Sequence, residues 1–168
     1  MSRSEPTRRP PAPGERRLSV IVPAYHEGEH IAAAIERIRR ELAPHVDADD
    51  LEVVVVDDGS GDGTVEAAAQ ADLVLAHGVN RGKGAAVRTG MLAARGRTRV
   101  FTDADLSYAP AQIVRLLEEV EAGWDVVVGN RHHPETATTV PTTLLREVGG
   151  RVVNGATRLV LHHRRADT

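Results

Sequence analysis

Cysteine is absent from this 168-residue chain, which excludes disulfides and thiolate metal sites. Aromatic side chains are nearly absent too, at 2%, so any core must be built from Val, Leu, Ile and Ala. No apolar run reaches the roughly 18 residues that a membrane span needs, and the N-terminus has no apolar stretch of the signal-peptide kind. The expectation is a cytoplasmic protein, peripheral at the inner face of the cell membrane where it meets a membrane at all. There is no excess of positive charge either. The net charge of -3 excludes a generally basic nucleic-acid binder.

Apolar residues, by contrast, make up 41% of the chain, a globular composition and not a disordered one. The length suits one domain with a real core. Met1–Arg17 is rich in Pro, Arg and Ser without periodicity and reads as a flexible tail. Residues 18–168 read as the domain.

Within it, short apolar runs alternate with longer amphipathic segments. LSVIV (Leu18–Val22), LEVVVV (Leu51–Val56), DLVLA (Asp72–Ala76), TRVFT (Thr98–Thr102) and DVVVG (Asp125–Gly129) have the length and β-branched content of buried strands. Glu27–Leu42 carries Ile31, Ala34, Ile35, Ile38 and Leu42 at helical spacing, and Pro44 ends it. Asp62–Gln70, Lys83–Arg95 and Ala111–Ala122 read as further helices. Asp62 and Thr64 compete as the cap of the first of these, and Pro110 stands near the first turn of the last. His132–Thr143 reads as a polar loop, and Leu144–Leu161 as a final helix interrupted by glycines. The alternation predicts an α/β fold, a Rossmann-like, mostly parallel sheet flanked by helices.

In such sheets ligands sit beyond the carboxyl ends of the strands, where the strand order reverses. Each predicted strand is followed there by a polar, glycine-bearing or charged segment: PAYHE, DDGSGDGT, HGVNRGKG, DADLS and NRHH. One edge of the sheet thus collects Glu27, Asp57, Asp58, Lys83, Asp103, Asp105 and Arg131. Asp103 and Asp105 are the most telling of these. Two carboxylates held close together repel and lose hydration, and a divalent cation removes both penalties. Mg²⁺ takes one or two carboxylates together with phosphate oxygens and water, an arrangement that Asp-x-Asp at a strand end supplies. Other motifs fail on inspection. Gly84 stands where a Walker A loop needs Ser or Thr, no G-x-G-x-x-G follows the first strand, and Ala69 stands where a calcium loop would close with Glu.

Taken in order, SVIVPAYHEGEHI, VVVVDDGSGDGT, NRGKGAAVRTG, FTDADLS and VVVGNR resemble the inverting family 2 glycosyltransferases of the A-type fold. Within that family the resemblance is strongest to the polyprenyl- and dolichyl-phosphate sugar synthases, particularly the glucosyl type. It implies that Pro23, Tyr25 and Glu27 hold the nucleotide, and that Asp57 and Asp58 lie near the base. Successive strand residues point to opposite faces, so one of the two, with Asp58 favoured, would touch the base. Gly82 and Lys83 would sit beside the nucleotide. Asp103 and Asp105 would bind Mg²⁺ or Mn²⁺ bridging the donor diphosphate, and Arg131 and Arg146 would contact the phosphate of the lipid acceptor. The implied reaction moves a sugar, with UDP-glucose the favoured donor, to a polyprenyl phosphate with inversion. A GDP-mannose enzyme of the same family and a non-catalytic nucleotide-sugar-binding fragment are the alternatives.

The resembled family carries a Gln-Cys-Gly-Phe-like segment and further acceptor-side structure beyond the point corresponding to RRADT, where this sequence stops. The expectation is therefore a donor-binding half whose exposed sheet edge is covered by self-association, as a homo-oligomer, or by a partner. Arg146, Arg151, Arg158, Arg164 and Arg165 would favour an anionic membrane surface.

Overall fold

A computed structural model of the chain describes residues 14–129. Four strands, β1 (Arg16–Ala24), β2 (Leu51–Asp57), β3 (Leu73–Ala76) and β4 (Gly96–Phe101), form one sheet in the order β3-β2-β1-β4. Every pairing is parallel, with Val20 opposite both Val53 and Val100. The helices are α1 (Ile31–Leu42), α2 (Thr64–Ala67), α3 (Lys83–Ala93) and α4 (Ala111–Glu121). This is the α/β class that the alternating pattern predicts.

The two central strands are covered on both faces, so their sequences are continuous apolar runs and not alternating ones. Leu18, Val20, Val22, Val53 and Val55 face one side and pack with α1, α2 and α4. Ile21, Val54 and Val56 face the other and pack with Ala86 of α3. In α1 the buried residues are Ile31, Ala34, Ile35, Ile38 and Leu42, the apolar set that the helical spacing picks out. Glu41, ion-paired with Arg37 at 2.7 Å, accepts the first N–H of α4, from Ala111, at 3.2 Å. It thereby ties α1 to α4 on that face.

On the opposite face, α3 approaches the sheet closely through Gly90. A Cβ there would stand 2.5 Å from Ile21 Cγ2 and 3.1 Å from Val56 Cγ2. Alanine in place of a helix-interior glycine ordinarily gains up to about 1 kcal/mol, whereas overpacking a filled core costs about 1–3 kcal/mol. Overpacking should win here. Gly90→Ala is expected to lower unfolding free energy by about 1–2 kcal/mol, read from urea midpoints at unchanged m-value. A gain in stability would show that the sheet yields to the methyl group.

The element bounds differ from the expected ones in instructive ways. β1 begins at Arg16, two residues inside the expected tail. Arg16 Nη1 donates to the carbonyl of Asp49 at 2.6 Å, and Arg17 forms a two-point ion pair with Glu121 at 2.7 and 2.9 Å. These contacts recruit two arginines into a strand that hydropathy alone starts later. Helix α1 starts at Ile31 and not Glu27, and the segment before it is held as a loop whose His26, Glu27 and Gly28 N–H groups donate to Ser60, Thr64 and Asp62. Helix α2 is a single turn. Its chain is pulled into β3 by Asp72, whose carboxylate accepts from Val53 N and Arg39, each at 2.8 Å.

The fifth strand is a correction: Asp125–Gly129 carries no strand assignment. Val126 and Val128 are 75% and 80% exposed. A strand is stabilised by its ladder and by burial on a neighbour, and no described residue pairs beyond β4. Hydropathy marks such a run as apolar but does not supply the partner. The expected loop at 132–143 and the expected helix at 144–161 lie outside the described residues.

Candidate functional site

The chain runs from β3 at one edge of the sheet, across the face that holds α3, to β4 beside β1. The strand order therefore reverses between β1 and β4, and the crevice at their carboxyl ends is where α/β sheets bind ligands. A cavity of about 370 Å³ opens there, lined by Pro23 near the end of β1, Tyr25 and Glu27 after it, Asp58 after β2, Asn80 and Lys83 before and at the start of α3, and Asp103 and Asp105 after β4. All four described strand ends contribute to it.

Each loop is held by side chains of its own sequence. In DDGSGDGT, Asp57 accepts from Ser60 through both its N–H and its hydroxyl. Asp62 accepts from Thr64 N at 3.1 Å and from Thr64 Oγ1. The same residues then reach across to the first loop, with Ser60 Oγ accepting from His26 N at 2.9 Å and Thr64 Oγ1 from Glu27 N at 3.1 Å. Asp62 also accepts from Gly28 N at 3.3 Å, so together with Ser60 and Thr64 it braces the two loops. Gly59 is required by geometry. Its φ is +80°, and a Cβ there would lie 2.7 Å from the Val79 carbonyl carbon.

The adjacent aspartates at the carboxyl end of β2 have separate tasks. Asp58 lines the cavity and Asp57 does not. Asp58 is only 2% exposed. It accepts from His77 Nδ1 at 2.6 Å and Arg81 N at 3.0 Å on Oδ1, and from Gly82 N at 2.7 Å on Oδ2. Burial alone would push its pKa up. The His77 hydrogen bond and the two N–H groups outweigh burial and hold the carboxyl below the ordinary range. Gly82 itself does not line the cavity. With φ +89° it caps α3 and so aims Lys83 inward.

Lys83 Nζ forms a close ion pair with Asp103. Asp105 accepts from Ser107 N at 2.9 Å and Ser107 Oγ at 2.7 Å. Leu106, buried at 6% exposure, adopts φ +46°. For a non-glycine residue the left-handed region costs roughly 1–2 kcal/mol, and Leu106 N donates to the Asp103 carbonyl at 3.0 Å, closing the turn that carries Asp103 and Asp105. Among the described residues no three His, Asp or Glu side chains gather as a ready-made metal cage. The donor set nonetheless suits a hard divalent cation that takes two carboxylates and completes its shell from phosphate and water.

Of the residues that the sequence singles out, Pro23, Tyr25, Glu27, Asp58, Lys83, Asp103 and Asp105 meet at one cavity. Asp57 and Gly82 support its walls, and Arg131 and Arg146 lie outside the described residues. Sequence reasoning passes over Asn80, Ala86 and Ala104 in the lining, and His77 behind it. His77 could have been marked, because it directly follows β3 at the loop-bearing edge. Among the described residues no helix is long and apolar enough to cross a membrane.

Comparison with known proteins agrees with this architecture. Residues 19–163 match the family model described as glycosyl transferase family 2. Glycosyltransferase AglD of Haloferax volcanii is 34% identical over 166 residues, covering 93% of this chain and 26% of the relative. A dolichyl-phosphate beta-glucosyltransferase of Drosophila melanogaster is 34% identical over 148 residues, covering 78% and 45% respectively. A polyprenol monophosphomannose synthase of Mycolicibacterium smegmatis is 36% identical over 129 residues, covering 71% and 46%. The chain thus spans between about a quarter and a half of the length of these relatives. With the family model matched over residues 19–163 and a relative 34% identical across 93% of the chain, the chain belongs to glycosyl transferase family 2.

Proposed function

We propose that this chain is the donor-binding portion of a metal-assisted glycosyltransferase. The reaction would move a sugar from a nucleotide-diphosphate donor, UDP-glucose by preference, to a polyprenyl or dolichyl phosphate with inversion. The observation that carries this reading is the convergence of four strand-end loops, with Lys83, Asp103 and Asp105, on one cavity at the switch point of the sheet. The relatives named for dolichyl-phosphate glucosyl transfer and for polyprenol monophosphomannose synthesis support the lipid-phosphate acceptor. Their identities, at 34% and 36%, do not separate the two sugars.

In this reading Asp58 takes the base, and Pro23, Tyr25 and Glu27 form the wall along the nucleoside. Lys83, at the positive end of α3, faces the diphosphate. Asp103 and Asp105 would hold Mg²⁺ or Mn²⁺, which when bound offsets the charge that develops on the departing diphosphate. A phosphate monoester has its second pKa near ~6 and is largely ionised at neutral pH. The acceptor therefore needs orientation more than deprotonation. Arg131 and Arg146 are assigned that orientation, and no residue is assigned as a base.

Thermal unfolding with UDP-glucose and GDP-mannose, each with and without Mn²⁺, tests the reading. A ligand at a hundredfold excess over its Kd stabilises by about 2.7 kcal/mol, so a clear rise in Tm is expected with UDP-glucose plus Mn²⁺. Absence of any shift with either nucleotide sugar would overturn the assignment. Sugar transfer to a polyprenyl phosphate then separates an enzyme from a binding module.

A further inference from the structure

The group left over by the site is His77. Its side chain is 7% exposed, it does not line the cavity, and the proposed chemistry does not use it. Its Nδ1 lies 2.6 Å from Asp58 Oδ1 and its Nε2 lies 3.0 Å from Thr89 Oγ1 on α3. An ionised carboxylate only accepts, so Nδ1 carries the proton and donates, whichever way the Thr89 contact runs.

A carboxylate offers about four lone-pair directions, two on each oxygen. At Asp58, His77 and the Arg81 N–H occupy both on Oδ1, and the Gly82 N–H occupies one on Oδ2. One acceptor direction remains, on the group that lines the cavity. Uracil presents a single donor on its pairing edge, N3–H, between two carbonyls. Guanine presents two adjacent donors, N1–H and the N2 amino group, which match a carboxylate with both oxygens open.

We propose that His77 is a positioning residue that determines base specificity: by occupying Oδ1 of Asp58 together with the Arg81 N–H, and so fixing the carboxylate, it leaves one acceptor, which suits a uridine donor and strands one guanine N–H. This inference rests on Asp58 facing the base, as read above. A buried donor left unpaired costs enough to weaken binding by about tenfold to a hundredfold.

Calorimetric titration of the full chain with UDP and with GDP, each with Mn²⁺, provides the test. Wild type is expected to bind UDP at least tenfold more tightly than GDP. His77→Leu removes one of the two donors on Oδ1, which frees the carboxylate to turn and offer a second acceptor to the cavity, so the UDP-to-GDP ratio should fall to within about threefold. His77→Asn places an amide N–H where Nδ1 stood and should restore most of the ratio, whereas His77→Gln, whose amide lies nearer the Nε2 position, should not. Wild type binding GDP as tightly as UDP overturns the proposal. So does His77→Leu weakening both nucleotides by one common factor, the result expected of a purely structural residue. If His77→Leu does not fold, the Asn and Gln pair decides on the same ratio. Asp58→Asn separates the two layers: unchanged affinity for both nucleotides would remove Asp58 from the base and the parent reading with it. A change there, with a ratio indifferent to His77, would reject only the role of His77.

Discussion

Replacing both Asp103 and Asp105 by alanine is expected to abolish the gain that Mn²⁺ gives to UDP-glucose binding, by a factor of at least ~100. Outer-shell partners of metal ligands commonly command ~10–100-fold in metal affinity, and ligands themselves should command no less. The metal-free affinity should move the other way or hardly at all. Two anionic groups that repel a diphosphate are gone, and Lys83, no longer paired with Asp103, is released toward the phosphates. Stability should barely change. The Lys83–Asp103 pair is substantially exposed, at 57% and 36% for the two side chains, and exposed pairs contribute about 0–1 kcal/mol. The measurement is a donor titration at rising Mn²⁺, paired with a thermal melt. A variant whose affinity still climbs with Mn²⁺ as wild type does would place the cation elsewhere. Asp103→Asn and Asp105→Asn, made singly, would show whether both carboxylates are required.

The sequence carried the sheet because β1 and β2 are buried on both faces, and only unbroken apolar runs tolerate that position. It carried α1 for the same reason, since Ile31, Ala34, Ile35, Ile38 and Leu42 can share a buried stripe only in a helix. The gathering of loops followed from the parallel connection alone, which returns every strand end to one edge. What escaped is what depends on partners distant in the chain. The start of β1 is set by Arg16 and Arg17 reaching the carbonyls of Asp49 and His45 and the carboxylate of Glu121. Asp125–Gly129 has strand composition and no described neighbour to pair with. His77 acquires its meaning only when β3 and β2 lie side by side and bring its ring to Asp58.

Glu52 was equally illegible, because a carboxylate in LEVVVV looks like an interruption of a core strand. It is fully buried, at 0% exposure, yet Ser19 Oγ, Arg95 N at 2.8 Å and Arg95 Nε at 2.9 Å all donate to it. Ser19 Oγ in turn accepts from Gly96 N at 2.8 Å. One side chain thereby fastens β1, β2 and the start of β4, near the strand ends opposite the cavity. Burial pushes its pKa up, but the hydrogen bonds from Ser19 and Arg95 outweigh burial and hold it below the ordinary glutamate value.

Glu52→Ala leaves the buried Ser19 hydroxyl and the Arg95 N–H unpaired, at about 1–3 kcal/mol for each such donor, while the half-exposed Arg95 guanidinium can turn to water. A domain of this kind has only about 5–15 kcal/mol in total, so the variant should be marginal at 25 °C. Glu52→Gln keeps the shape, loses the charge and should fall between the two. The pH dependence discriminates the cause. A depressed folded-state pKa gives a stabilisation that is complete above the unfolded value near ~4.3 and disappears as pH falls through the lower folded value. The advantage of wild type over Glu52→Gln in urea melts should therefore hold from pH 7 to about 5 and shrink below about 4. A gap that stays constant down to pH 3 would mean that Glu52 acts through its shape and not its charge. Because the network lies away from the crevice, donor affinity of the folded Gln variant should match wild type, which separates this effect from that of the Asp103 and Asp105 variants.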